Sequence, residues 1–163
     1  QRLDIMRDSR IGAYGALALC FATLARASLF TSLLDLPPLG AIALIAGAGA
    51  FSRSLMVDLL WATRPARGDG LSVMAGRPSR NTTLLALGLG GVMAGVAGGL
   101  VLAPAAGALA LIAGGIAVAV VRAIAMKKIG GQPGDVCGAG QVMAEIAMLA
   151  VYAATVSLPS YSL

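Results

Sequence analysis

Asp4 and Asp8 stand four residues apart in a run that continues Arg7-Asp8-Ser9-Arg10-Ile11-Gly12. On a helix, carboxylates four apart share a face. Such a pair can hold Mg2+, a hard ion that takes carboxylate, water and substrate phosphate as ligands. Arg7 and Arg10 can grip phosphate oxygens. The same run also reads as a solvated charged stub. Another carboxylate, Asp135, lies in Gly130-Gly131-Gln132-Pro133-Gly134-Asp135-Val136-Cys137-Gly138-Ala139. It either caps the helix that opens there or contacts a metal or hydroxyl group.

Three further charges, Arg53, Asp58 and Glu145, fall inside apolar runs. Each costs roughly 2.5–3.5 kcal/mol at the centre of a membrane helix, so each is expected to face a bundle interior or a wet cavity. Gly138, Gln141 and Glu145 follow i, i+3, i+7 spacing and share a helix face. Arg53 and Asp58 are five apart and diverge by about 140°, which makes them poor mutual partners. Two readings fit: an interhelix pair such as Arg53 with Glu145, or a polar cavity open to the cytoplasm. Arg26, near the end of its apolar run, is expected to snorkel toward the outer interface.

Several chemistries are excluded. The chain has no histidine, hence no His–zinc site and no Ser-His-Asp triad. Cys20 and Cys137 are too few for a zinc cluster or a disulfide framework, and are expected to be reduced thiols. No phosphate loop of the GxxxxGK[ST] type occurs.

The elements that must position these groups follow from composition. Of 163 residues, 58% are hydrophobic and 12% charged, against about 25% charged in soluble domains. Mean hydropathy is +0.88. The chain is therefore neither a soluble enzyme nor disordered, but an all-α, polytopic transmembrane bundle forming a single membrane domain over residues 1–163. About five spans are predicted, at residues 11–34, 39–63, 82–103, 105–121 and 137–158. No charge occurs between Asn81 and Val121; one helix of that length would be roughly twice the hydrocarbon thickness, so it must turn back, at Pro104. Asp35-Leu36-Pro37-Pro38 makes the other tight turn.

Ten of the twelve basic residues fall on alternate connections: the N-terminal segment, the loop 64–80 and the loop 122–135. The positive-inside rule makes that side cytoplasmic, with the N-terminus in and the C-terminus out. The net charge of +5 is then largely topological and argues against nucleic acid as a partner. The arginines of loop 64–80 suit anionic lipid heads, or cover a polyanionic ligand. Gly91, Gly95 and Gly99 bare one helix face, for packing within the chain or for a homo-oligomer.

The strings carry a resemblance. Asp4-Ile5-Met6-Arg7-Asp8-Ser9-Arg10-Ile11-Gly12-Ala13-Tyr14-Gly15-Ala16-Leu17 resembles a signature of the cobalamin synthase family, the adenosylcobinamide-GDP ribazoletransferases. Gly131 through Ala139, followed by Ala144-Glu145, is similar to that family's Gly-Gly-x-x-Gly-Asp-x-x-Gly-Ala-x-x-x-x-x-Glu segment. Arg53, Arg67-Gly68-Asp69-Gly70-Leu71 and Gly76-Arg77-Pro78-Ser79-Arg80 fall in the same order and near the same spacing. The likeness covers essentially the whole chain.

The resemblance implies a multi-pass protein of the cell inner membrane that joins alpha-ribazole, or its phosphate, to adenosylcobinamide-GDP with release of GMP, using Mg2+. It implies catalytic and metal-binding roles for Asp8 and Asp135, phosphate binding by Arg10 and Arg53, ligand contacts from Gly134 and Gly138, and an orienting role for Glu145. The family's upstream acidic motif, of the Asp-Gly-x-x-Asp-x-x-Asp-Gly type, has no match here, so the chain is expected to be the C-terminal two-thirds of such an enzyme. A small transporter or assembly subunit is the alternative, but a transporter should repeat internally and no repeat is visible. A relative of the CDP-alcohol phosphotransferases is chemically close, yet that family's acidic signature is also missing.

Overall fold

The computed structural model describes residues 12–66 and 76–157. Five helices account for nearly all of them: α1 (Ala13–Ser32), α2 (Pro38–Ala62), α3 (Arg80–Val101), α4 (Pro104–Ile129) and α5 (Gly134–Val156). All five are long and apolar enough to cross a membrane. Extended pairing among the described residues is limited to one bridge, Pro65 with Gln132.

Local chemistry explains the boundaries. Proline opens α2 and α4, where its missing N–H costs nothing. Ser79 caps α3, its hydroxyl accepting from the Thr82 amide at 3.1 Å. Gly130 closes α4 in the left-handed conformation, at φ 74°. α4 runs eight residues beyond the predicted end at Val121. Arg122, Lys127 and Lys128 suggest a loop by their charge, yet they occupy the last two turns, where cations complement the helix dipole.

The short connections at 33–37 and 102–103 gather at one end of the bundle. Those at 63–79 and 130–133 gather at the other, hereafter the basic end, where Arg64 and Arg77 lie in the first connection and Arg80, Lys127 and Lys128 in the adjoining helix turns. There two loops are stitched together: the Ala66 amide donates to the Gln132 carbonyl at 3.2 Å, and the Gln132 amide to the Arg64 carbonyl at 3.0 Å. The Gln132 side chain is buried and accepts from the Cys137 thiol at 2.6 Å. Arg77 Nε donates to the Trp61 carbonyl at 2.9 Å and Arg122 Nη2 to the Ala62 carbonyl at 3.1 Å, so both arginines satisfy open carbonyls at the end of α2.

α2, α3, α4 and α5 form the compact part, with α2 against α3 and α5, and α4 against α3 and α5. Small residues permit the close approaches. A Cβ on Gly98 would lie 2.6 Å from Gly107 Cα, and one on Gly47 would lie 2.9 Å from Ala94 Cα. The tight stripe on α3 is thus Gly90, Ala94 and Gly98, all buried. The predicted stripe of Gly91, Gly95 and Gly99 is half-buried, and Cβ atoms there would meet Phe51, Leu111 and Pro104 of the same chain at ordinary distances. α1 stands apart: it packs chiefly on α5 and contains no buried residue.

Candidate functional site

A continuous chain of polar groups crosses the bundle interior. Arg26 Nη2 of α1 donates to Glu145 Oε1 of α5 at 2.7 Å. Gln141 Nε2, one turn earlier on α5, donates to Glu145 Oε2 at 2.7 Å and lies 3.2 Å from Ser52 Oγ of α2, which accepts. Ser52 Oγ in turn donates to the Gly49 carbonyl at 3.1 Å, and Arg53 Nη1 donates to that same carbonyl at 2.8 Å. Five side chains and one backbone carbonyl therefore link Arg26 to Arg53 across three helices.

The order of these contacts follows from helix geometry. Gln141 and Glu145 are four apart and stack on one face of α5. Ser52 lies on the buried side of α2, which also carries Leu44, Ala48, Leu55 and Leu59 into the core, and Arg53 is turned about 100° from it. Glu145 and Ser52 are buried, Gln141 is half-buried, and Arg53 is exposed.

The predicted interhelix pair therefore exists with a different cation. Glu145 bonds Arg26; Arg53 reaches it only through Gly49, Ser52 and Gln141. Arg26 does not snorkel. It lies thirteen residues into α1, roughly 20 Å along the helix axis, and its charge turns inward because a carboxylate waits at matching depth: Glu145 lies eleven residues into α5, roughly 16 Å along. In an apolar medium an ion pair with further hydrogen bonds is the cheaper state for both charges. Sequence spacing within a single helix holds no signal for this pairing; comparing the depths of Arg26 and Glu145 would have found it. Ser52 and Gln132 gave no sequence signal beyond polarity.

Asp135 is exposed in the first turn of α5, at the basic end. It is not the N-cap, a position held by Pro133 with no side-chain cap. An acidic group in a first turn is favoured by the helix dipole. Gly134 is half-buried and Gly138 exposed on the same stretch, and no atom within 4 Å would meet a Cβ at Gly138. Asp8 and Arg10 lie outside the described residues. Among the described residues no cluster of three His, Cys, Asp or Glu side chains could hold a metal.

Asp58, half-buried, lines a separate cavity of about 480 Å³ with Arg122, Leu55, Val118 and Met126, between α2 and α4 near the basic end. Its walls are mostly aliphatic.

Comparison with known proteins gives the family. The profile of cobalamin-5-phosphate synthase matches residues 1–153. An adenosylcobinamide-GDP ribazoletransferase from Sinorhizobium sp is 43% identical over 156 residues, which covers 94% of this chain and 60% of that protein. Those from Mesorhizobium japonicum and Azorhizobium caulinodans are each 41% identical, covering 98% and 91% of this chain and 58% and 56% of their own lengths. The chain thus spans a little under three-fifths of the length of these relatives. No solved structure matches it. By the match over nearly its full length, the chain belongs to the cobalamin-5-phosphate synthase family.

Proposed function

We propose that this chain is the larger part of a membrane-embedded, Mg2+-dependent transferase that joins alpha-ribazole, or its phosphate, to adenosylcobinamide-GDP. The reading rests on one observation above all, the similarity over more than nine-tenths of the chain to relatives bearing that enzyme's name. In the reaction a ribazole hydroxyl oxygen attacks the phosphorus that bears the cobinamide-linked oxygen. The bond from that phosphorus to the bridging oxygen breaks, and GMP leaves with the electron pair. The hydroxyl proton is lost to solvent or a nearby base.

This chain's groups suit the electrostatics of such a transfer. Phosphoryl transfer is catalysed mainly by positioning and by neutralising charge on non-bridging oxygens. Asp135 offers a hard oxygen donor at the basic end, and Mg2+ is commonly held by one or two carboxylates together with water and substrate phosphate. A bound divalent cation would supply charge neutralisation at the diphosphate. Asp8 is the second carboxylate in this reading. Arg10 and Arg53 bind phosphate oxygens; Arg53 uses one donor on the Gly49 carbonyl and keeps the rest of its fork for a ligand. Gly134 and Gly138 let a ligand approach the backbone of α5 closely. The basic end faces the cytoplasm, by the positive-inside rule, and the membrane is the inner membrane.

The test is GMP release by the full-length protein in nanodiscs, with Asp135→Asn and Asp8→Asn assayed across a Mg2+ titration. Both should lose at least about a hundredfold in turnover, with partial recovery at high Mg2+. Turnover near that of the parent for both at limiting Mg2+ would remove the carboxylates from the mechanism.

A further inference from the structure

The Arg26–Glu145 pair lies about midway along its two helices, with the carboxylate buried and the arginine side chain 34% exposed. α1 packs chiefly on α5, has no buried residue, and is exposed at every position from Ala13 to Phe21. Its packing is confined to its second half, where Leu29 and Phe30 meet the core formed by Leu33, Leu44, Met148 and Leu149. Apolar side chains of that kind give little preference between one rotation of a helix and another when lipid is equally apolar. The polar chain does give one. Glu145 is 5% exposed and has both oxygens engaged, one by Arg26 and one by Gln141. Turning or sliding α1 by a few ångströms would leave that carboxylate with a single neutral partner in a dry interior.

We propose that Arg26 is a positioning residue: its bond to Glu145 clasps α1 to α5 at mid-span and fixes the rotation and depth of α1. The start of α1, at Ala13, is thereby fixed relative to the start of α5, where Asp135 sits. Asp8 and Arg10, which the proposed function uses, precede Ala13 by a few residues in the sequence. Arg26 touches no substrate in this account and acts through Glu145. The clasp itself stands on geometry alone; its bearing on transfer rests on the function proposed above.

One detail sharpens the test. Arg26 Nε is buried without an acceptor among the described residues, and a single nitrogen, Nη2, makes the contact with Glu145. The clasp uses the charge and one donor, not the two-pronged fork, so lysine should replace Arg26 and glutamine should not.

The experiment uses the full-length protein in nanodiscs, with Cys20→Ser and spin labels at Tyr14 and Ala139, read by pulsed dipolar spectroscopy. GMP release is measured on the same preparations. The parent and Arg26→Lys should give one narrow distance distribution. Arg26→Gln and Glu145→Gln should each broaden it, and turnover should fall by up to about a hundredfold, the loss that an ångström of misplacement can cause. The exchange Arg26→Glu with Glu145→Arg should narrow the distribution again and restore turnover. An unchanged distribution in Arg26→Gln overturns the clasp, whatever the activity. Broadening in that variant with undiminished GMP release overturns the positioning role. If the parent itself releases no GMP, the transfer reading fails while the distances still decide the clasp.

Discussion

Individual residues carry unequal burdens here. Arg53 and Arg26 are both arginines within apolar helices, yet one is exposed and the other is bonded to a buried carboxylate. Arg53→Lys keeps the charge and loses the planar fork, so on the proposed function turnover of the full-length protein should fall with a raised KM for adenosylcobinamide-GDP, while the thermal midpoint in detergent stays put. Gly131 has a different, purely steric duty. A Cβ there would lie 2.7 Å from the Arg64 carbonyl oxygen and 2.9 Å from the Ala66 backbone. Gly131→Ala should therefore separate the two loops stitched at the basic end and destabilise the protein by about 1–3 kcal/mol, seen as a lower thermal midpoint. The polarity of Glu145 and Gln141 and their common face were legible in the sequence. The identity of the cation opposite them was not, because it sits on a helix 119 residues away in the chain.

At the scale of elements, backbone contact governs the packing of α3 on α2 and α4. Gly98→Ala should be costly, since the new methyl would meet the Gly107 backbone at 2.6 Å and Tyr152 at 2.9 Å. Gly88→Ala should be neutral or mildly stabilising, because nothing lies within 4 Å and alanine favours helix by about 1 kcal/mol over glycine. Thermal unfolding of the two variants side by side checks the contrast. The sequence placed a glycine stripe on this helix but one residue out of phase: Gly91, Gly95 and Gly99 have the spacing, and Gly90, Ala94 and Gly98 have the contacts. Two small-residue stripes were available on the same helix, and only the neighbours' positions choose between them. α4 shows a similar limit. Its absence of charge ends at Val121, but the helix continues to Ile129, with Arg122 bonded to the end of α2 and the lysines in the last turn, where cations complement the helix dipole.

For the whole molecule, the alternation of basic and non-basic connections makes a topological prediction. Cysteines introduced in full-length protein at Asp35 and at Pro78 should react with a membrane-impermeant maleimide from opposite faces of oriented vesicles, with Pro78 on the cytoplasmic face. Cys20 and Cys137 add little background, one on a membrane helix and the other buried. Hydropathy and charge by themselves determined that the chain is helical, that it has five apolar segments, and that it turns at Asp35–Pro38 and at Pro104, because lipid admits few backbone arrangements and each helix satisfies its own hydrogen bonds. Tertiary structure alone decided which charges meet. A buried ion chooses its partner by depth and facing across separate helices, and that choice brought Arg26 rather than Arg53 to Glu145.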